Sequence, residues 1–142
     1  MQTVERFVTS APAETVWRIL ADVEHWRDWT PTIVEVNPLT EGGLRIGARY
    51  RVVQPGLRPA VYEVTDCTSK ESFTWVQKLA GGELIADHRI ATRHGATEVE
   101  LSFSSKGLLA NIATMLFTKK TRESVETEAR CLKEKCEAMM RS

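Results

Sequence analysis

Residues 97–115 read TEVELSFSSKGLLANIATM, and two periods meet inside them. As far as Ser105 the chain alternates. Val99, Leu101 and Phe103 fall on one face, and Glu98, Glu100 and Ser102 on the other. That is a strand with one dry side and one wet side, as in an antiparallel sheet covered on a single face. After Gly107 the apolar residues recur at three and four positions, through Leu108, Ile112 and Met115. The same spacing continues at Val125, Ala129, Leu132, Cys136 and Met139, which predicts one long helix over 108–140. A one-faced sheet must bury its apolar side, and only this helix is long enough to cover it. About 32 residues at 1.5 Å rise give roughly 48 Å, so the helix is expected to overhang or bend.

Upstream, period two governs residues 32–105. The predicted strands are 32–39, 48–54, 60–67, 72–79, 84–92 and 97–105. The breaks between them carry turn chemistry: Glu41-Gly42-Gly43, Pro55-Gly56, Ser69-Lys70, Gly81-Gly82 and His94-Gly95. Residues 3–9 predict one further strand. Pro12 suits the first position of a helix, whose apolar face is Val16, Leu20 and Val23. A tryptophan-rich turn, 24–29, ends at Pro31. A twisted sheet of about seven strands curls, and curling around one helix leaves a space between them.

Three two-residue turns fix which side chains share that space. Ser69-Lys70 sets Tyr62 opposite Gln77 and Val64 opposite Trp75. Gly81-Gly82 sets Trp75 opposite His88 and Gln77 opposite Ala86. His94-Gly95 sets His88 opposite Leu101 and Ala86 opposite Phe103. Cross-strand partners share a face. The three registers agree on one inward set: Tyr62, Val64, Phe73, Trp75, Gln77, Leu84, Ala86, His88, Ile90, Val99, Leu101 and Phe103. Strand 48–54 is read with Tyr50 and Val52 inward, because the opposite phase would bury Arg49 and Arg51. This requires an odd-length loop before the next strand. Ile112, Met115 and Leu116 are expected to close the space from the helix. Trp26 and Trp29 either cap its mouth or plug the core.

The inward face is apolar with few polar points, a composition shared by packed cores and by ligand pockets. His88 has three readings: a hydrogen-bonded core histidine, a group that orients a ligand, or a general acid/base. Lys+Arg and Asp+Glu are both 19, so the chain carries no net charge to attract nucleic acid or an anionic membrane. No run is long and apolar enough to span a bilayer. Cys67, Cys131 and Cys136 form no pairable framework, which with no leader-like N-terminus suggests reduced thiols in a cytoplasm. His25, His88 and His94 lack metal-ligand spacing, so neither metal nor cofactor is expected. The 142 residues suit one domain, 1–142, as a monomer or homodimer.

Several motifs resemble those of the START/Bet v 1-like (SRPBCC) superfamily, and more narrowly its polyketide cyclase/dehydrase and lipid-transport group. They are Ala11-Pro12-Ala13-Glu14-Thr15-Val16-Trp17, Leu20-Ala21-Asp22-Val23-Glu24-His25-Trp26, Trp29-Thr30-Pro31, Gly47-Ala48-Arg49-Tyr50-Arg51-Val52, Tyr62-Glu63-Val64-Thr65 and Gly107-Leu108-Leu109. The resemblance covers nearly the whole chain. It implies an α+β helix-grip: a seven-stranded antiparallel sheet around a long C-terminal helix, two short N-terminal helices, and an apolar cavity between sheet and helix. It also implies that the inward face walls that cavity. The function expected is the binding of a hydrophobic small molecule: a lipid, a quinone or a polyketide-like aromatic. The ligand contacts expected are Trp26, Trp29, Tyr50, Val52, Tyr62, Val64, Phe73, Trp75, Gln77, His88, Ile90, Leu101, Phe103, Ile112, Met115 and Leu116. The alternatives are a cyclase or dehydratase using His88 as acid/base, with Tyr62 or Tyr50 polarising a carbonyl, and a protein-interaction or stress-response module.

Overall fold

The computed structural model describes residues 2–141 of the chain. Seven strands form one antiparallel sheet: β1 (Gln2–Thr9), β2 (Glu35–Pro38), β3 (Arg49–Val53), β4 (Ala60–Thr68), β5 (Ser72–Leu79), β6 (Gly82–Arg93) and β7 (Ala96–Lys106). Their order is β1-β7-β6-β5-β4-β3-β2, a meander closed at one edge by the N-terminal strand. Helix α1 (Ala13–Ala21) and a 3-10 segment (Val23–Asp28) connect β1 to β2. Pro12 stands one position earlier than expected, in extended conformation as the N-cap of α1. Helices α2 (Leu108–Leu116) and α3 (Thr118–Arg141) follow the sheet. This is the α+β helix-grip expected, with one correction: the long helix is broken.

The break falls at Phe117, whose backbone leaves helical geometry at φ −122° and ψ 23°. Hydroxyl groups assist it. Thr118 Oγ1 donates to the carbonyl of Thr114 at 3.0 Å, and Thr114 Oγ1 donates to that of Ala110 at 3.1 Å. Such back-bonding competes with the helical ladder and bends it. The apolar stripe also has a gap here, with no inward apolar position between Phe117 and Val125, so packing does not hold the two segments collinear.

The hairpins reproduce the inward face with instructive differences. His94-Gly95 is the two-residue turn expected, both residues at positive φ (51° and 77°), which matches the twist of β6 and β7. His88 faces Leu101 and Ala86 faces Phe103, as read from sequence. The β5–β6 turn is Ala80-Gly81, not Gly81-Gly82, so Trp75 faces Ala86 and Phe73 faces His88. This slip of two residues leaves every side chain on its face, where a slip of one would have inverted them. The β4–β5 connection has three residues, with Lys70 at φ 69°. A bulge at Thr65 absorbs the extra residue, so Val64 still faces Trp75. Tyr50 and Val52 are buried, and the Val52–Ala60 pair encloses seven residues (53–59), an odd number as required. Strand β2 is shorter than expected because Thr30 and Thr32 hold a side-chain-bonded turn ahead of it.

Helix α2 sits on the end of the β6–β7 hairpin at a close backbone approach. A Cβ added at Gly82 would run into the Lys106 carbonyl oxygen and lie 2.6 Å from the Ala110 Cβ. Gly107, at φ 97°, approaches Gly81 as closely. Gly82→Ala is therefore expected to cost about 1–3 kcal/mol, the usual range for overpacking. Chemical denaturation checks this; an unchanged midpoint would show that α2 is not seated on the sheet.

Candidate functional site

Between sheet and helices lies a cavity of about 280 Å³. Its long wall is β6, where Leu84, Ala86 and His88 point inward at every second position. Four residue steps at about 3.4 Å each make that wall about 14 Å long. Trp75, Gln77 and Leu79 of β5 and Phe103 of β7 flank it. Ala113 and Thr114 bound it from α2, Phe117 from just past the end of α2, and Thr121, Ser124, Val125 and Glu128 from α3. Leu57, in the β3–β4 loop, and Lys120 stand at the side.

Of the residues expected at the site, Trp26, Val52, Tyr62, Trp75, Gln77, His88 and Phe103 line the cavity. Tyr50, Val64, Phe73, Ile90 and Leu101 lie on the same face but are buried in packed core and do not line it. Trp29 packs on Trp26, ring centroids 5.6 Å apart, and also stands behind the wall. Ile112, Met115 and Leu116 need correction: all three are exposed on the outer side of α2. The kink at Phe117 breaks the phase of the stripe, and the tight seat on Gly82 admits only a small side chain such as Ala110. The inward face of α2 is accordingly Ala110, Ala113 and Thr114, with Phe117 just past its end also lining the cavity.

One end of the cavity is an aromatic box. Trp26 is 1% exposed, and its indole N–H donates to the carbonyl of Leu20 at 2.9 Å. It packs against Phe73, Trp75 and His88 at centroid distances of 6.2, 5.3 and 5.5 Å. The imidazole of His88 stacks on Phe73 at 4.1 Å with planes 16° apart. His88 Nδ1 lies 3.0 Å from the carbonyl oxygen of Phe73. A carbonyl only accepts, so Nδ1 carries the proton and Nε2 of the neutral ring is an acceptor. Burial pulls the His88 pKa down to about 4, against the opposing effects of the Phe73 bond and of Asp87. His88 is therefore neutral at pH 7.

The α3 side carries a group that the sequence reading missed. Burial pushes the Glu128 carboxyl up to about 7, although a hydrogen bond from Thr32 opposes the rise. Its side chain lines the cavity from α3 and is part-buried. Burial, and secondly the charge of Glu128, raise the phenol of Tyr62 to about 12. Glu128 and Tyr62 thus sense each other across the cavity. One sequence signal was available: Thr121, Ser124 and Glu128 follow each other at helical spacing beside Val125 and Ala129. A polar strip beside an apolar stripe reads as the wet side of a helix unless a cavity faces it. Among the described residues no His/Cys/Asp/Glu group has the arrangement of a metal site. No helix among them is long and apolar enough to cross a membrane.

Solved structures share the architecture. The Zhui aromatase/cyclase from Streptomyces sp. R1128 superposes with a TM-score of 0.76 at 17% identity, over 100% of this chain and 96% of that one. A START superfamily protein from Mycobacterium smegmatis gives 0.71 at 16% identity, over 97% and 98%. Ara h 8.0201 gives 0.66 at 9% identity, over 93% and 97%. No protein of the curated set shows significant sequence similarity. The sequence model of the family described as "Polyketide cyclase / dehydrase and lipid transport" matches residues 1–137. With that match over almost the whole chain, and with the helix-grip sheet and its cavity in place, the chain belongs to the polyketide cyclase/dehydrase and lipid-transport family.

Proposed function

We propose that the chain binds one small hydrophobic molecule in the cavity between sheet and C-terminal helices. The observation that carries this is the cavity itself, apolar-walled and about 280 Å³, with Gln77, His88 and Glu128 as separated polar points. Its volume lies near the lower end for small-molecule sites, and its composition is typical of them. Trp26, Tyr62, Trp75 and Phe103 offer flat aromatic surface. Nε2 of His88 accepts a hydrogen bond, and Gln77 can donate or accept one. A neutral aromatic that bears a hydroxyl, such as a phenol or a hydroxyquinone, suits this set best, its O–H donating to Nε2. A fatty acid suits the inner end less, because a carboxylate there would meet Glu128 and the His88 acceptor in a medium of low dielectric. Only at the side does Lys120 offer it a cation.

A thermal-shift panel at pH 8 tests the reading. A ligand at a hundredfold its Kd adds about 2.7 kcal/mol, several degrees for a chain of this size. Two-ring phenols and hydroxyquinones are expected to raise the midpoint more than fatty acids of equal carbon number. A flat response across the panel would sink the proposal.

Glu128 favours a second reading, a cyclase- or dehydratase-type reaction. An acid/base works best with a pKa near the working pH. Glu128 meets that condition; His88, at about 4, is too weak a base. In this reading Glu128 exchanges the proton, Nε2 of His88 accepts from an enol or hydroxyl O–H of the substrate, and Tyr62 donates to a carbonyl. Glu128→Gln is then expected to lower turnover of a poly-β-carbonyl substrate at least a hundredfold with binding retained. Unchanged turnover would take Glu128 out of the chemistry.

A further inference from the structure

The outer face of α2 is apolar and open to solvent. Leu108, Leu109, Ile112, Met115 and Leu116 of this short helix, and Phe117 just past its end, are each between 46% and 76% exposed. Single exposed apolar residues are ordinary, but a contiguous group of this kind marks an interaction surface. The charge beside it is not neutral. Residues 108–122 contain Lys119, Lys120 and Arg122 and no acidic residue. Lys106 precedes the helix, and exposed Arg58 stands in the β3–β4 loop, which meets Lys120 near Gly56. The acidic neighbours are Glu123, which lies 3.9 Å from Lys119, and Glu83, opposite Lys106 in the β6–β7 ladder. The chain's zero net charge conceals this local excess of cations.

We propose that the outer face of α2 docks on an anionic lipid surface, its large side chains entering the boundary between headgroups and acyl chains and its flanking cations meeting the headgroups. The apolar outer face of α2 and the basic first turns of α3 that follow it together have the composition of an interfacial segment. Each basic residue held near such a surface strengthens partition about fivefold. The same helix bounds the cavity from its inner face through Ala113 and Thr114. Phe117, just past the end of α2, is 60% exposed and also lines the cavity. Docking therefore places the cavity wall against lipid and gives an apolar ligand a dry route inward. This purpose rests on the cavity reading, but the docking itself is testable without any ligand.

The test is co-sedimentation of the full chain with 100-nm vesicles of phosphatidylglycerol and phosphatidylcholine at 1:1, and of phosphatidylcholine alone. The mixed vesicles are expected to bind at least tenfold more tightly, and 0.5 M NaCl to erase most of that difference. Met115→Asp with Leu116→Asp, both at exposed positions, is expected to reduce binding more than tenfold with an unchanged melting curve. Lys119→Gln with Arg122→Gln is expected to reduce binding to the mixed vesicles alone. Ala86→Trp, which fills the cavity, is expected to dock like the parent chain, so a failed cavity and a failed docking face are told apart. No sedimentation with the mixed vesicles would overturn the proposal, as would full binding by the double aspartate variant. So would a stable dimer in light scattering that the double aspartate variant converts to monomer, since a second copy would then cover the face.

Discussion

Trp26→Ala is expected to lower stability by about 3–5 kcal/mol, with the thermal midpoint falling on the order of 10 °C. Trp26 is 1% exposed and joins the 3-10 segment to the sheet. Alanine would forfeit its contacts with Phe73, Trp75 and His88 and leave the Leu20 carbonyl without its indole donor. The aromatic pairings add to the burial, and the vacated space would merge with the existing cavity rather than collapse. Trp29, three residues on, is only half-buried and lies outside that box, so Trp29→Ala is expected to cost less than half as much. Urea melts of the two variants provide the comparison. Equal losses would mean that Trp26 does not occupy the box.

The second large effect is on the pH dependence of stability. Glu128 titrates at about 7 in the folded chain against an ordinary 4.5. Between these values the folded state holds a proton that the unfolded state has released, so stability falls as pH rises. The penalty is absent below 4.5 and complete above 7. His88 titrates at about 4 against an ordinary 6.5. Between those values the unfolded state holds the extra proton, so stability is intact above 6.5 and is lost as pH falls towards 4. Over pH 4.5–6.5 the two slopes oppose and nearly cancel. Each single variant should expose the slope of the other group. Relative to the parent chain, Glu128→Gln is expected to gain stability progressively from pH 4.5 to 7, reaching about 1–2 kcal/mol at pH 8. The full shift would give more, but the Glu128 side chain is only part-buried, so its charge is partly screened. His88→Asn is expected to lose stability at pH 8 and to recover about 3 kcal/mol relative to the parent as pH falls to 4. Urea melts at five pH values measure both difference curves. A flat difference for either variant would show that its side chain is solvated.

The sequence made the sheet legible because its signals are local. Strand alternation and turn residues lie within a few positions of each other, and the two-residue side-chain period protects the face assignment against even slips. That protection kept His88 and Trp75 inward although the β5–β6 turn was placed one residue late. Two deviations, the three-residue loop at 69–71 and the bulge at Thr65, cancel in a way that no periodicity announces. The helix side was less legible because its orientation depends on contacts distant in sequence. The phase of Ile112, Met115 and Leu116 depends on how α2 sits on Gly82, and on a break at Phe117 that back-bonding threonines favour. Glu128 was hidden for a related reason. Its burial comes from the sheet opposite, and its neighbours on α3 read as a solvated face.

The cavity, and its occupation by an apolar molecule, is tested most directly by titrating parent and Ala86→Trp chains with 1-naphthol, followed by tryptophan fluorescence and calorimetry. Ala86 faces Trp75 and Phe103 on the neighbouring strands and lines the cavity. An indole placed there would occupy the space a ligand needs. The parent chain should saturate at one molecule per chain with a negative heat-capacity change, the mark of apolar burial, and Ala86→Trp should bind at least tenfold more weakly while melting at a similar temperature. Equal binding by the two chains, or no saturation by the parent up to the solubility of the probe, would contradict the presence of a ligand site beneath the C-terminal helices.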